Sequence, residues 1–411
     1  MKQDVQVALR VIVGFVHQFL VPYVINPHLS RHRGQKLNTI EQAEMHDLRL
    51  LLINNMCRMS LTPKSWLLIL FCLICAGLLF EGILFRVYRT DTGGWTTVAP
   101  LRSSSSMNLI SNGSGDRIWK KVELEKALFS LPKWGGVYVD FVGNIYTWDY
   151  DYTLRKFSSD GKFLQKYGKG RGSGPSEFRS PQDVAISDNF DVWVCDGATG
   201  LVTVFSTNGS LQKTVRLKTI PYRIRLLGGN RFVIQKAQAP DNLFEVYDMQ
   251  GNVTLRFGSD IIAEQSRYPV VTTGTMDSDG QRVYFTFFYV GRLVCFNIED
   301  GSIVYSVETK DRVPAPAIQT KGSGEQPWMR ISPDAPVASL GLRVEDGKVL
   351  IRSGVSIRER EKKPYTVIDT YSASNGTYLY SYRFPARGFF SRGFFYEDGD
   401  TTVTKWSVTY K

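Results

Sequence analysis

The chain has 411 residues, 43% of them hydrophobic and 13% aromatic, enough apolar material for a large buried core. Its formal net charge of +11 shrinks, from Ser111 onward, to 39 basic against 33 acidic residues, too thin a surplus for a nucleic-acid surface. All four histidines, His17, His28, His32 and His46, precede Met59, which removes histidine general bases, Ser-His-Asp triads and histidine-ligated zinc from everything after it.

Residues 1–58 form an N-terminal tail. Its apolar run Val7 to Ile25 is interrupted by Arg10, His17 and Gln18, a pattern that suits an interfacial helix better than a span. A start of translation at Met56 or Met59 is the alternative reading of this tail. Residues 59–90 read as a signal anchor: Trp66 to Phe85 is a twenty-residue apolar stretch whose only charge is Glu81, long enough to cross a bilayer core as a helix. The small pair Ala76-Gly77 is followed at once by Leu78-Leu79-Phe80, so the pattern predicts an uncleaved, single-pass anchor with the bulk of the chain outside the cytoplasm. Residues 91–115, with Ser103-Ser104-Ser105-Ser106, read as a flexible stalk.

From residue 116 on, tight-turn signals alternate with short apolar, aromatic-rich runs. The first series is Gly143-Asn144, Asp188-Asn189, Gly229-Asn230, Asp279-Gly280, Asp346-Gly347 and Asp398-Gly399. The second is Asp160-Gly161, Asn208-Gly209, Gln250-Gly251, Asp300-Gly301 and Asn375-Gly376. Such pairs accept the positive φ that two-residue hairpins require. Two hairpins make a four-stranded unit, and a four-stranded unit repeating every 40 to 50 residues or so is a propeller blade. The fold class predicted is all-β, a six-bladed β-propeller over 116–411 preceded by a single transmembrane helix. The blades run from about Trp134, Pro181, Tyr222, Val270, Val337 and Phe389. The sixth runs out of chain at Lys411, and the alternating Ile118, Val122 and Leu124 predict that a strand over 116–125 completes it and closes the ring.

The stretch GKGRGSGPSEFRSPQDVAISDNFDVWVCDGATGLVTVF, residues 168–205, carries a glycine-rich run and then Gly174, Pro175, Glu177, Phe178, Pro181, Val184, Asp196, Val202 and Phe205 in register. It resembles the NHL repeat family, and blade one repeats the second half of the pattern from Asn144 to Gly161. The specific match covers about 75 residues and fades in blades three to six. The resemblance implies a six-bladed propeller acting as a binding platform.

Cys195 and Cys295 fall in strands of different blades, so no disulfide framework is expected. Gly168 to Gly174 lacks the order of a phosphate loop and reads as an inter-blade connection. Links between second and third strands and links between blades share one rim of a propeller. That rim carries Trp148-Asp149-Tyr150 together with two insertions, Thr309 to Pro336 with Trp328 and Arg330, and Gly354 to Pro364 with the charge run Arg358 to Lys363. Aromatic faces beside charges suit a protein, peptide or glycan ligand. The candidate ligand-binding residues are therefore Trp148, Asp149, Tyr150, Trp328 and Arg330, with no catalytic residue, metal ligand or cofactor expected. The sequons at Asn112, Asn208, Asn252 and Asn375 coincide in two cases with hairpin turns. The alternative is a lactone hydrolase-like enzyme holding a divalent ion over the central channel, for which Asp140, Asp183 and Asp277 are the available carboxylates.

Overall fold

The computed structural model describes Thr96–Val98 and residues 116–411, apart from 238, 240, 262–271, 322–327 and 356–363. The tail, the anchor expected at 66–85 and the charge run from Arg358 lie outside the described residues. Among the described residues no helix is long and apolar enough to cross a membrane.

Six sheets, each built on four antiparallel strands, follow one another along the chain. Their inner strands are Val137–Val139, Pro181–Ile186, Pro221–Leu227, Gly274–Ser278, Ser339–Glu345 and Gly388–Ser391. The second strands are apolar on both faces because each is sandwiched between two neighbouring blades. In Arg231–Lys236 of blade three, Phe232 and Ile234 join a cluster with Trp193 and Val204 of blade two. Between them, Val233 points the other way, toward Met276 and Phe285 of blade four. One such apolar cluster lies between every neighbouring pair of blades, blade six against blade one included. Outer strands behave differently: Val253–Phe257 alternates exposed and more covered positions, and in Phe163–Tyr167 both Phe163 and Leu164 are exposed, because an outer strand meets solvent. The core is thus six wedges around a central channel, and truncating a fully buried aromatic such as Phe232 or Phe285 to alanine costs about 3 to 5 kcal/mol.

Turn chemistry follows the expected series with one displacement. Asp346 and Gly347 take φ of 48° and 69°, and Gly229 and Asn230 take 71° and 56°, the doubly left-handed pair of a tight hairpin. In blade six, however, the first turn is Arg392-Gly393, at 53° and 77°, while Asp398-Gly399 lies between the second and third strands. An arginine in the left-handed region carries no turn signal in sequence, so the nearby Asp-Gly pair stood in for it.

Ring closure also differs from the expectation in its register. The strand pairing with Thr402–Tyr410 of blade six is Val122–Pro132 rather than 116–125. Two bulges, between Leu124 and Ala127 and between Ala127 and Phe129, shift which residues face inward. Val122 and Leu124 pack toward blade five, whereas Leu131 enters the cluster shared with blade one. Just upstream, Trp119–Lys120 adds a fifth, parallel strand to blade five, and Arg117 is tied down by Asp311 at 2.6 Å and Asp369 at 2.8 Å. Part of the region expected as free stalk is also paired: Thr96–Val98 joins Ile318–Lys321, which pairs in turn with Trp328–Ile331, as a small sheet in the insertion between blades four and five.

Candidate functional site

The six inner strands enclose a channel of about 990 Å³. Its wall is charged, and the charges on one side are organised. Asp183 of blade two, only 1% exposed, accepts hydrogen bonds from the Ile224 amide at 3.2 Å and the Arg225 guanidinium at 2.6 Å. Arg225, on blade three, donates also to Asp277 of blade four at 2.7 Å, and Asp277 accepts from the Val344 amide of blade five at 2.8 Å. A single guanidinium held by two carboxylates therefore links four consecutive blades. Burial alone lowers the pKa of Arg225, but Asp183 and Asp277 outweigh it and raise the value, so the charge is retained. Further round, Glu345 accepts from the Ser391 hydroxyl at 2.6 Å and the Arg392 amide at 2.9 Å, tying blade five to blade six.

Four polar atoms on residues lining this channel are buried without a hydrogen-bonding partner among the described residues: Trp193 Nε1, Arg223 Nε, Thr275 Oγ1 and Arg352 Nε. Each such group forfeits the interaction with water it would have in the unfolded chain, at about 1 to 3 kcal/mol. Six more such atoms, among them Gln235 Oε1, Asn242 Oδ1 and Tyr396 OH, lie away from the channel, so these orphaned groups are spread through the ring and do not by themselves mark the cavity.

The rim residues named from sequence are not brought together. Trp148 is 6% exposed, its ring set edge-on against Phe178 at 5.7 Å, and it belongs to the wedge between blades one and two. Little of that indole is left for a ligand. Asp149 accepts from the Tyr150 amide at 2.8 Å and pairs with Arg155, while Tyr150 itself is 65% exposed. Arg330 donates to Gln319 at 2.8 Å within the hairpin of the insertion; the side chain of Trp328 lies outside the described residues. Trp148 and the insertion belong to different parts of the ring, with blades two to four between them on one side and five and six on the other.

The carboxylates of the hydrolase alternative have other partners. Asp140 accepts from the amides of Val142 and Asn144, at 3.1 and 2.8 Å, and from the Tyr146 hydroxyl at 3.1 Å, closing its own hairpin. Asp183 and Asp277 have Arg225 between them. Among the described residues no three Asp, Glu, His or Cys side chains converge as metal ligands. What sequence reading missed are the channel arginines. Their one signal is Tyr222-Arg-Ile-Arg-Leu226, where charges alternate inside a strand that ought to be buried.

No protein-family model matches the chain, and no curated protein does. Among solved structures, a member of the DUF4221 family from Bacteroides vulgatus is 12% identical with a TM-score of 0.51, covering 72% of this chain and 99% of that one. Virginiamycin B lyase from Staphylococcus aureus is 12% identical with a TM-score of 0.42, covering 70% of this chain and 99% of its own. The Cps50 (Swd1) β-propeller domain of Myceliophteria thermophila is 11% identical with a TM-score of 0.40, covering 70% and 100%. At such identities likeness speaks to fold, and the first of the three supports it: the protein is an all-β, six-bladed β-propeller with four-stranded antiparallel blades.

Proposed function

We propose that this chain is a membrane-tethered, NHL-like propeller that binds its ligand without transforming it, and that the ligand enters the central channel. The observation that carries the reading is the cavity of about 990 Å³ whose lining includes Asp183, Arg223, Arg225, Asp277, Arg343 and Arg352. A cavity of this size suits a small molecule or the end of a partner's peptide or glycan chain. The tether rests on the apolar stretch 66–85, and the NHL-like character on Gly174, Pro175, Glu177 and Phe178. Asp183 and Asp277 hold a guanidinium instead of standing free, which favours binding over metal-assisted hydrolysis.

Leu340 provides the test. It is the unpaired residue at the bulge in the inner strand of blade five and lines the channel. Native mass spectrometry of the full-length chain exposed to an extract of metabolites and short peptides should show adducts that Leu340→Trp, which narrows the channel at blade five, weakens and Tyr150→Ala keeps. Adducts undiminished in Leu340→Trp would move the site to the rim of Tyr150 and Arg330. Adducts whose mass changes with time would replace binding by catalysis. Protease protection in sealed vesicles checks the tether: a propeller digested only from the cytoplasmic side overturns the expected orientation.

A further inference from the structure

The channel does not end at the inner strand of blade five. Its wall continues outward through Leu350 and Arg352 on the second strand to Ile368 on the third, and is completed by Phe389, Phe390 and Asp398 of blade six. A lateral recess therefore opens between blades five and six. Register places two arginines in it. Arg343 pairs with Leu350 and Arg352 with Gly341, so the two arginines are diagonal neighbours on adjacent antiparallel strands and share one face of the sheet. That face is the one toward blade six. Leu350 and Ile368 belong to the cluster with Phe390 and Phe395, and the Arg343 guanidinium lies 5.2 Å from the centroid of the Phe389 ring. Glycine at 341 leaves the inner strand bare opposite Arg352, since even a single added Cβ would stand 3.9 Å from the Arg352 Cβ.

Two like charges at this spacing in a recess call for counter-charge, and the protein supplies little. Among the described residues no carboxylate lies within the 4.0 Å of an ion pair from either guanidinium. Asp398, the acidic residue whose field Arg352 feels, is engaged by Lys133 at 2.8 Å, and Glu345 is engaged by Ser391 and Arg392. Burial lowers the pKa of Arg352, and its Nε has no partner.

We propose that the recess between blades five and six is an oxyanion subsite in which Arg343 and Arg352 together hold a carboxylate or phosphate group of the ligand. The proposal rests on the channel being the binding site and adds the chemical class of what it takes. A guanidinium offers a planar fork of donors matched to two oxygens of such a group, and a pair of them on one sheet face can grip it from two directions. The aromatic rings of Phe389 and Phe390 and the apolar Leu350 and Ile368 keep the recess partly dry, which strengthens each contact.

The test uses the full-length chain and two simple probes, inorganic phosphate and succinate, each at millimolar concentration against chloride at matched ionic strength. Either probe should raise Tm by about 2 to 4 °C. A rise with succinate alone identifies a carboxylate ligand, and one with phosphate alone identifies a phosphate. Arg343→Gln and Arg352→Gln should each abolish the rise while leaving the anion-free Tm unchanged or higher, because removing one of two like charges relieves their repulsion. A purely structural arginine would instead lower the anion-free Tm on replacement. No rise with either probe, or an equal rise in both variants, overturns the subsite. If the adducts of the unmodified chain are still weakened in Leu340→Trp in that event, the channel stands as the binding site and only its anion class has failed.

Discussion

On the side of blades two to four, Arg225 lies between Asp183 and Asp277 at 2.6 and 2.7 Å, and every oxygen that faces it has a donor. On the side of blades five and six, Arg343 and Arg352 share a sheet face and no carboxylate among the described residues comes within ion-pairing reach of them. The Arg225 link is made entirely by inner strands, whereas the second pair sets Arg343 on an inner strand and Arg352 one strand further out, so the two walls differ in position as well as in side-chain choice. A buried charge that is paired and hydrogen-bonded serves assembly, because breaking it strands its partners. A cation left without its counter-charge serves no such end and weakens the fold slightly, which is the usual mark of a position kept for something outside the chain.

The largest effect should come from the balanced wall. Arg225→Met leaves Asp183, 1% exposed, without its main cationic partner and should lower the unfolding free energy by about 3 to 5 kcal/mol in urea titration. Adding Asp183→Asn to that variant should restore part of the loss, since the stranded charge then disappears. A loss below about 1 kcal/mol for Arg225→Met would mean that the link across four blades is incidental and that the two walls do not differ in role.

How much of this contrast was readable beforehand depends on sequence distance. The hairpin turns are local, two residues each, and they led to the six blades even though Arg392-Gly393 hid behind Asp398-Gly399. Asp183 and Asp277 could be singled out as carboxylates, yet their common partner is 42 residues from one and 52 from the other, on a different blade from both. Nothing in spacing announces a contact made around a ring. Trp148 failed as a rim residue for a related reason. It ends a strand and looks exposed, but Phe178, from the very Gly-Pro-x-Glu-Phe stretch that carries the family resemblance, comes over from the next inter-blade link and covers it. The closing strand slipped because bulges at Leu124–Ala127 and Ala127–Phe129 break the two-residue period on which its boundaries were judged.

Between the two walls stands Glu345, whose carboxylate joins blade five to blade six through Ser391 and the Arg392 amide. Glu345→Gln keeps the shape but removes the charge, and should cost about 1 kcal/mol by urea titration, well below the Arg225 effect. It also tests whether Glu345 acts as a distant counter-charge for Arg343, its neighbour two positions back on the strand. If it does, the variant's Tm should respond more steeply to phosphate or succinate than the unmodified chain; an unchanged response confines Glu345 to joining the blades.

The smallest change in stability should come from Gly341. An added methyl there meets the Arg352 Cβ at 3.9 Å, an ordinary contact, and position 341 is not among the glycines with positive φ. Gly341→Ala should therefore shift the unfolding free energy by no more than about 0.5 kcal/mol, since alanine is tolerated in a strand and loses less entropy on folding. Gly341→Leu differs in volume rather than in backbone demand, and its side chain would extend across the face that Arg343 and Arg352 share. Comparing the two variants separates space from conformation. A recess that holds an anion should keep its response to phosphate or succinate in the alanine variant and lose it in the leucine variant at nearly equal stability. Loss in both would instead tie the response to the glycine backbone, and retention in both would show that the face opposite Arg352 is not where the anion sits.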